Sequence, residues 1–106
     1  MSEERKMEES PLFKEVQDLL NDCSSGFAFI SFKGQAIINA AQIKYIEPDY
    51  IKMWSSSEKL AEGDFFIEVR QSDKISHKMR LSNLLDALKE AQERRKEWYK
   101  KLVTQP

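Results

Sequence analysis

The chain is poor in the residues from which many small proteins build chemistry. Among 106 residues it has one cysteine, Cys23, and one histidine, His77. Neither an internal disulfide nor a Cys/His zinc site can be assembled from that supply. Its three glycines, Gly26, Gly34 and Gly63, stand alone, which excludes the glycine-rich loops that cradle phosphates. No apolar run approaches the roughly 18 residues of a membrane span, and the acidic start MSEERKMEES lacks the basic and apolar regions of a secretory signal. The expectation is a cytoplasmic protein with no membrane, metal, cofactor or small-molecule substrate.

What is present is charge and an ordinary apolar content. The hydrophobic fraction is 41% and the charged fraction 33%, enough for one core with a well-solvated exterior. The net charge of −1 conceals an uneven distribution. Residues 1–23 carry seven acids and three bases, residues 24–88 eight of each, and residues 89–106 three acids and six bases. An acidic head and a basic tail can steer a partner or a second copy, although cations are also favoured at a helix C-terminus.

Residues 1–9 are polar and lack apolar periodicity, which predicts a disordered arm. Ser10-Pro11 then supplies a capping hydroxyl followed by proline at the first helical position. Leu12, Phe13, Val16, Leu19, Leu20 and Cys23 recur at helical spacing, with Cys23 read as a packed thiol. NDCSSG ends that helix at Gly26. GFAFISF predicts a strand covered on both faces. Gly34 turns the chain, and Ala36 to Asn39 return antiparallel. Asn39 is read as capping the Ala40-Ala41 turn.

Ile43, Tyr45 and Ile46 lead into a further strand that Pro48 ends. Asp49 to Trp54 reads as strand again, with Tyr50, Lys52 and Trp54 on one face and Ile51 and Met53 on the other. SSSEKLAEGD is a loop. Phe65, Ile67 and Val69 alternate with Phe66, Glu68 and Arg70, a strand with one wet face. Ile75, His77, Met79 and Leu81 alternate with Ser76, Lys78 and Arg80 in the last strand. No internal repeat is visible.

Ser82 is a natural N-cap, and Asn83 to about Val103 is helical in pattern. Leu84, Leu88, Ala91, Arg95, Trp98 and Leu102 step by four and three. A helix of this length, about 30 Å, outruns a strand of about 17–20 Å. Its last turns, with Trp98, Tyr99 and Leu102, therefore overhang the sheet and are expected to seek another surface. The fold class expected is α+β: an N-terminal helix, a curved antiparallel meander of four to five strands, and a long C-terminal helix packed on it. Residues 10–103 form the single domain and residues 104–106 a tail.

Few residues offer themselves for catalysis. Histidine suits proton transfer near neutral pH, but His77 has no nucleophile-elbow serine beside it in sequence. Cys23 stands at the end of a helix, where no N-terminal dipole activates it. Glu47, Asp49, Glu62, Asp64 and Glu68 are too scattered for an acid-base pair or a calcium loop. The chain is therefore read as having no catalytic residues. Two binding sets remain. Trp98, Tyr99 and Leu102 with Arg94, Arg95 and Lys101 make an apolar anchor with a cationic rim, suited to a protein partner or a homodimer. Tyr50, Lys52, Trp54, Phe66, Arg70 and Arg80 make an aromatic and basic sheet face, the arrangement of a single-stranded nucleic-acid platform.

The run from Gly34 through Asn39, Ile43, Ile46 and Glu47, followed by a strand pair and a helix, resembles the small FlbD-type proteins of bacterial flagellar operons. The resemblance spans residues 33–88 and about five positions carry it. It implies a compact β-meander closed by a helix and an accessory or regulatory role without catalysis, in a bacterial or phage setting. The N-terminal helix, the SSSEKLAEGD insertion and the long tail helix depart from that family. The plan of strands followed by a helix also resembles, in topology only, the PUR-type and Whirly-type single-strand binders. The leading expectation is a non-enzymatic protein-binding module, with single-stranded nucleic-acid binding as the alternative.

Overall fold

The computed structural model describes residues 6–23, 29–31, 37–39 and 42–104. Helix α1 spans Pro11–Cys23, starting where the Ser-Pro pair places it. Its stripe turns Phe13 and Val16 into the core, with Leu12, Leu19 and Leu20 partly buried beside them. The Ser10 hydroxyl donates to the Gly63 carbonyl, tying the start of the helix to a distant turn. Gly63 sits there at φ +83°, and a Cβ would stand 3.3 Å from Ser10 Oγ, so the turn calls for glycine.

The expected arm at residues 1–9 is corrected at its second half. Met7–Glu9 forms a 3₁₀ turn, and Met7 is buried in the core. One apolar side chain just ahead of α1 suffices to dock the segment, since burying it stabilises by about 2 kcal/mol. Residues 1–5, Gly26, Gly34 and the Ala40-Ala41 turn that Asn39 was expected to cap lie outside the described residues, as does the Cys23 side chain.

The strands form two sheets in place of the expected single one. Strands β1 (Phe29–Ser31) and β2 (Ile37–Asn39) pair antiparallel, with Ile30 opposite Ile38. Strands β3 (Tyr45–Pro48), β4 (Phe66–Arg70) and β5 (Ser76–Arg80) form a three-stranded antiparallel meander in sequence order. Glu47 faces Glu68, and Val69 faces His77.

Asp49 to Trp54, expected as a strand, folds instead as helix α2, Tyr50–Ser55, between β3 and β4. Asp49 caps it: its carboxylate accepts the Lys52 N–H at 3.1 Å, the interaction an N-cap supplies. Tyr50 and Trp54, four apart, stack with ring centroids 6.0 Å apart, while Met53 packs against the core. The apolar positions 50, 51, 53 and 54 satisfy a helical period as well as they satisfy alternation. The cap and the stacking pair select the helix. Phe66, expected on the wet face of its strand, is buried at 7% exposure with Lys52 of α2 set over its ring.

Helix α3 runs Leu81–Thr104, 24 residues, or about 36 Å. It begins ahead of the expected Asn83, because the Leu81 N–H still donates to the Phe65 carbonyl as the strand ladder turns into helix. Ser82 is not the cap. Asp64, 3% exposed, accepts the Phe65 and Ser82 N–H groups on Oδ1, both at 2.9 Å, and the Ser82 hydroxyl on Oδ2 at 2.8 Å. The core joins Leu81, Leu84, Leu85, Ala87, Leu88 and Ala91 of α3 to Phe13, Val16, Phe65, Ile67 and Val69. Burial fades beyond Ala91, and the molecule measures 63 × 29 × 23 Å.

Candidate interaction surfaces

The step of four and three along α3 runs from the core into solvent. Leu84 and Leu88 are fully buried and Ala91 nearly so, Arg95 is half-buried, and Trp98 and Leu102 are 62% and 52% exposed. The helix stays regular because Ala, Leu, Glu, Lys, Arg and Gln dominate it. Arg94 and Lys101 are exposed beside this row, and both, like Arg95, already engage groups within the chain. The expected anchors and rim are thus on one helix end, while the side chain of Tyr99 lies outside the described residues. Two large exposed apolar groups, Trp98 and Leu102, thus stand four residues apart among cations on this end of the helix.

The second predicted set is rearranged. Tyr50, Lys52 and Trp54 stand on α2, not on a strand, so no flat aromatic row is built on the sheet. The structure brings Lys52 and Arg80 together over Phe66, with Lys52 Nζ 5.6 Å and Arg80 Cζ 5.8 Å from the ring centroid. A groove of about 390 Å³ opens beside them, lined by Ile51, Lys52, Ser55, Phe66, Ile67 and Met79 among others. Trp54 and Ile51 are 72% and 79% exposed at its border. Arg70 stands at the far end of β4 and belongs to a different cluster. Its guanidinium pairs with Glu68 at 2.9 Å and Glu47 at 3.4 Å.

Acids meet the other sheet cations as well. Arg80 pairs with Glu58, and Lys78 approaches Asp49 at 3.8 Å. Each pair is too exposed to add much stability, but together they cancel the field that a phosphate backbone would require. Sequence reasoning missed Glu58 because it lies in a loop and Glu47 because it reaches Arg70 only across the strand register, whereas Glu68 stands two residues from Arg70 on the same face of β4.

His77 shares a hydrogen bond with Gln71 Oε1 at 3.1 Å from Nε2 and sits opposite Val69 in the ladder. Among the described residues, no three His, Cys, Asp or Glu side chains converge on a position for a metal ion. None of the described helices is long and apolar enough to cross a membrane. The one functional carboxylate that sequence reasoning missed is structural: Asp64 caps α3 from a position 18 residues upstream of Ser82, a contact that no local spacing announces.

No family model matches the sequence, and no curated protein or solved structure matches it either.

Proposed function

We propose that the protein is a non-enzymatic interaction module that binds protein partners, its own second copy among them, through the exposed end of α3. The observation that carries this reading is the pair Trp98 and Leu102. They continue the row of buried Leu84 and Leu88, yet stand more than half exposed. Covering either group fully is worth about 1.5–3 kcal/mol. Arg94 and Lys101 supply a polar rim, with Arg95 within the row. The resemblance to the FlbD-type family, whose plan is likewise a meander closed by a helix, fits an accessory role without catalysis.

Sedimentation velocity tests the reading. The wild type is expected to dimerise in the micromolar range, and the Trp98→Ala, Leu102→Ala double variant to remain monomeric with unchanged circular dichroism. A wild-type monomer at high micromolar concentration would sink the homodimer. The nucleic-acid alternative gains little support from the geometry, because Tyr50 and Trp54 leave the sheet for α2, Phe66 is buried, and Arg70 and Arg80 are paired with acids.

A further inference from the structure

The charge on the tail decides what covers it. Residues 94–101 carry five bases and one acid, crowded into about two turns around Trp98. If two copies joined tail to tail, these segments would face each other across the apolar pair, with the two Arg95 side chains in the same row. Like charges so placed oppose association. The opposite balance exists elsewhere on the same chain. Residues 7–23 carry five acids and one base, and Glu8, Glu9, Glu15 and Asp18 are all exposed.

The acidic head also offers a concave surface. A shallow hollow of about 600 Å³ lies between the start of α1 and the turn at Gly63, lined by Pro11, Leu60 and Phe65, by the two acids Glu9 and Glu62 and by Lys6. Pro11 and Leu60 offer apolar surface to Trp98 and Leu102, and the two carboxylates outnumber the one ammonium toward the surrounding cations.

The direction of the helices allows both contacts to form at once. Ser10 is bound to Gly63 and the adjacent Asp64 to Ser82, so α1 and α3 start at the same end of the molecule, and Lys89 reaches Glu15 at 4.0 Å further along. The head therefore lies beside the start of α3 and Trp98 about 24 Å further along that helix. Two copies placed side by side and antiparallel put each tail on the other's head. That contact is isologous and closes after two copies.

Resting on the interaction role proposed above, we infer that the tail of each protomer seats on the acidic head of a second copy, Trp98 and Leu102 entering the hollow beside Pro11 and Leu60. The assembly is a reciprocal head-to-tail dimer held by apolar anchors and steered by opposite charge.

Charge reversal at either end tests it on the full chain. A head variant carries Glu8→Lys, Glu9→Lys and Glu62→Lys. A tail variant carries Lys96→Glu, Lys100→Glu and Lys101→Glu. Sedimentation is expected to find each variant monomeric alone and the equimolar mixture dimeric, since in the mixed pair the reversed head meets the reversed tail and the normal head meets the normal tail. Wild-type association is expected to weaken at least roughly tenfold between about 50 and 500 mM salt. A head variant that dimerises like the wild type, beside a monomeric tail variant, would overturn this inference in favour of tail-to-tail contact and leave the interaction role standing. A wild-type monomer removes both. Should either reversal lose its circular dichroism signal, the same positions changed to Gln are measured instead. Weakened self-association of the head Gln variant then supports the arrangement, and wild-type affinity overturns it.

Discussion

Asp64 holds three donors with one carboxylate: two backbone N–H groups and a hydroxyl, all from the junction where β4 begins and α3 starts. A helix leaves its first N–H groups without intrahelical partners, and here the partner comes from across the fold rather than from the neighbouring sequence. Asp64→Ala would leave buried donors unsatisfied and is expected to lower unfolding free energy by about 2 kcal/mol. Asp64→Asn, which keeps one acceptor oxygen, is expected to lose about half of that. Urea denaturation followed by circular dichroism reads both. The residue type was plain in the sequence, yet its role was not, because Ser82 offered a better local cap and the pairing depends on tertiary placement. Gly63 is comparable: a lone glycine in a loop predicts a turn, but only the structure shows Ser10 closing against it.

At the scale of elements, α3 allows a comparison within one helix. Leu88 and Leu102 occupy the same row, one fully buried and the other about half exposed. Leu88→Ala is expected to cost about 3 kcal/mol in unfolding free energy. Leu102→Ala, measured on dilute protein where no partner covers it, is expected to change stability by less than about 0.5 kcal/mol. Equal losses at both positions would mean that the tail packs within its own chain. The helices α1 and α3 and the strands β4 and β5 were readable from their periods, although α3 starts two residues ahead of Asn83 and Phe66 is buried against the alternation. Helix α2 was not, since the five residues YIKMW fit two periods and Pro48 ahead of them suits either a strand end or a helix approach. The side chain of Asp49 and the Tyr50–Trp54 pair settle the matter only once the backbone closes on them.

For the whole molecule, shape and charge matter more than any one contact. The radius of gyration over Cα atoms is 15.4 Å, above the roughly 13 Å of a compact chain of this length, because α3 continues past the core. The sheet cations are met by Glu47, Glu58, Glu68 and Asp49, which leaves the uneven balance of head and tail as the larger electrostatic feature. Titration with oligo-dT at low salt is accordingly expected to leave tryptophan fluorescence unchanged. Quenching that disappears with added salt would revive the nucleic-acid reading. The head-to-tail asymmetry was legible by counting residues, whereas the hollow beside the start of α1 depends on Leu60 and Phe65 meeting Pro11 across about 50 positions of sequence.

The bond from Ser10 to Gly63 spans 53 positions, and its consequence concerns the order in which the fold is made. Strands β4 and β5 and helix α3 follow one another in sequence through short connections, contacts that form quickly. Helix α1 precedes in sequence the surfaces that bury Phe13 and Val16, which belong to the meander and α3. Its apolar stripe therefore stays uncovered until those elements have formed. The abundance of acids along α1 keeps the waiting segment hydrated and disfavours premature self-association. Docking of α1 is in that sense a late step of folding, completed when α3 is in place.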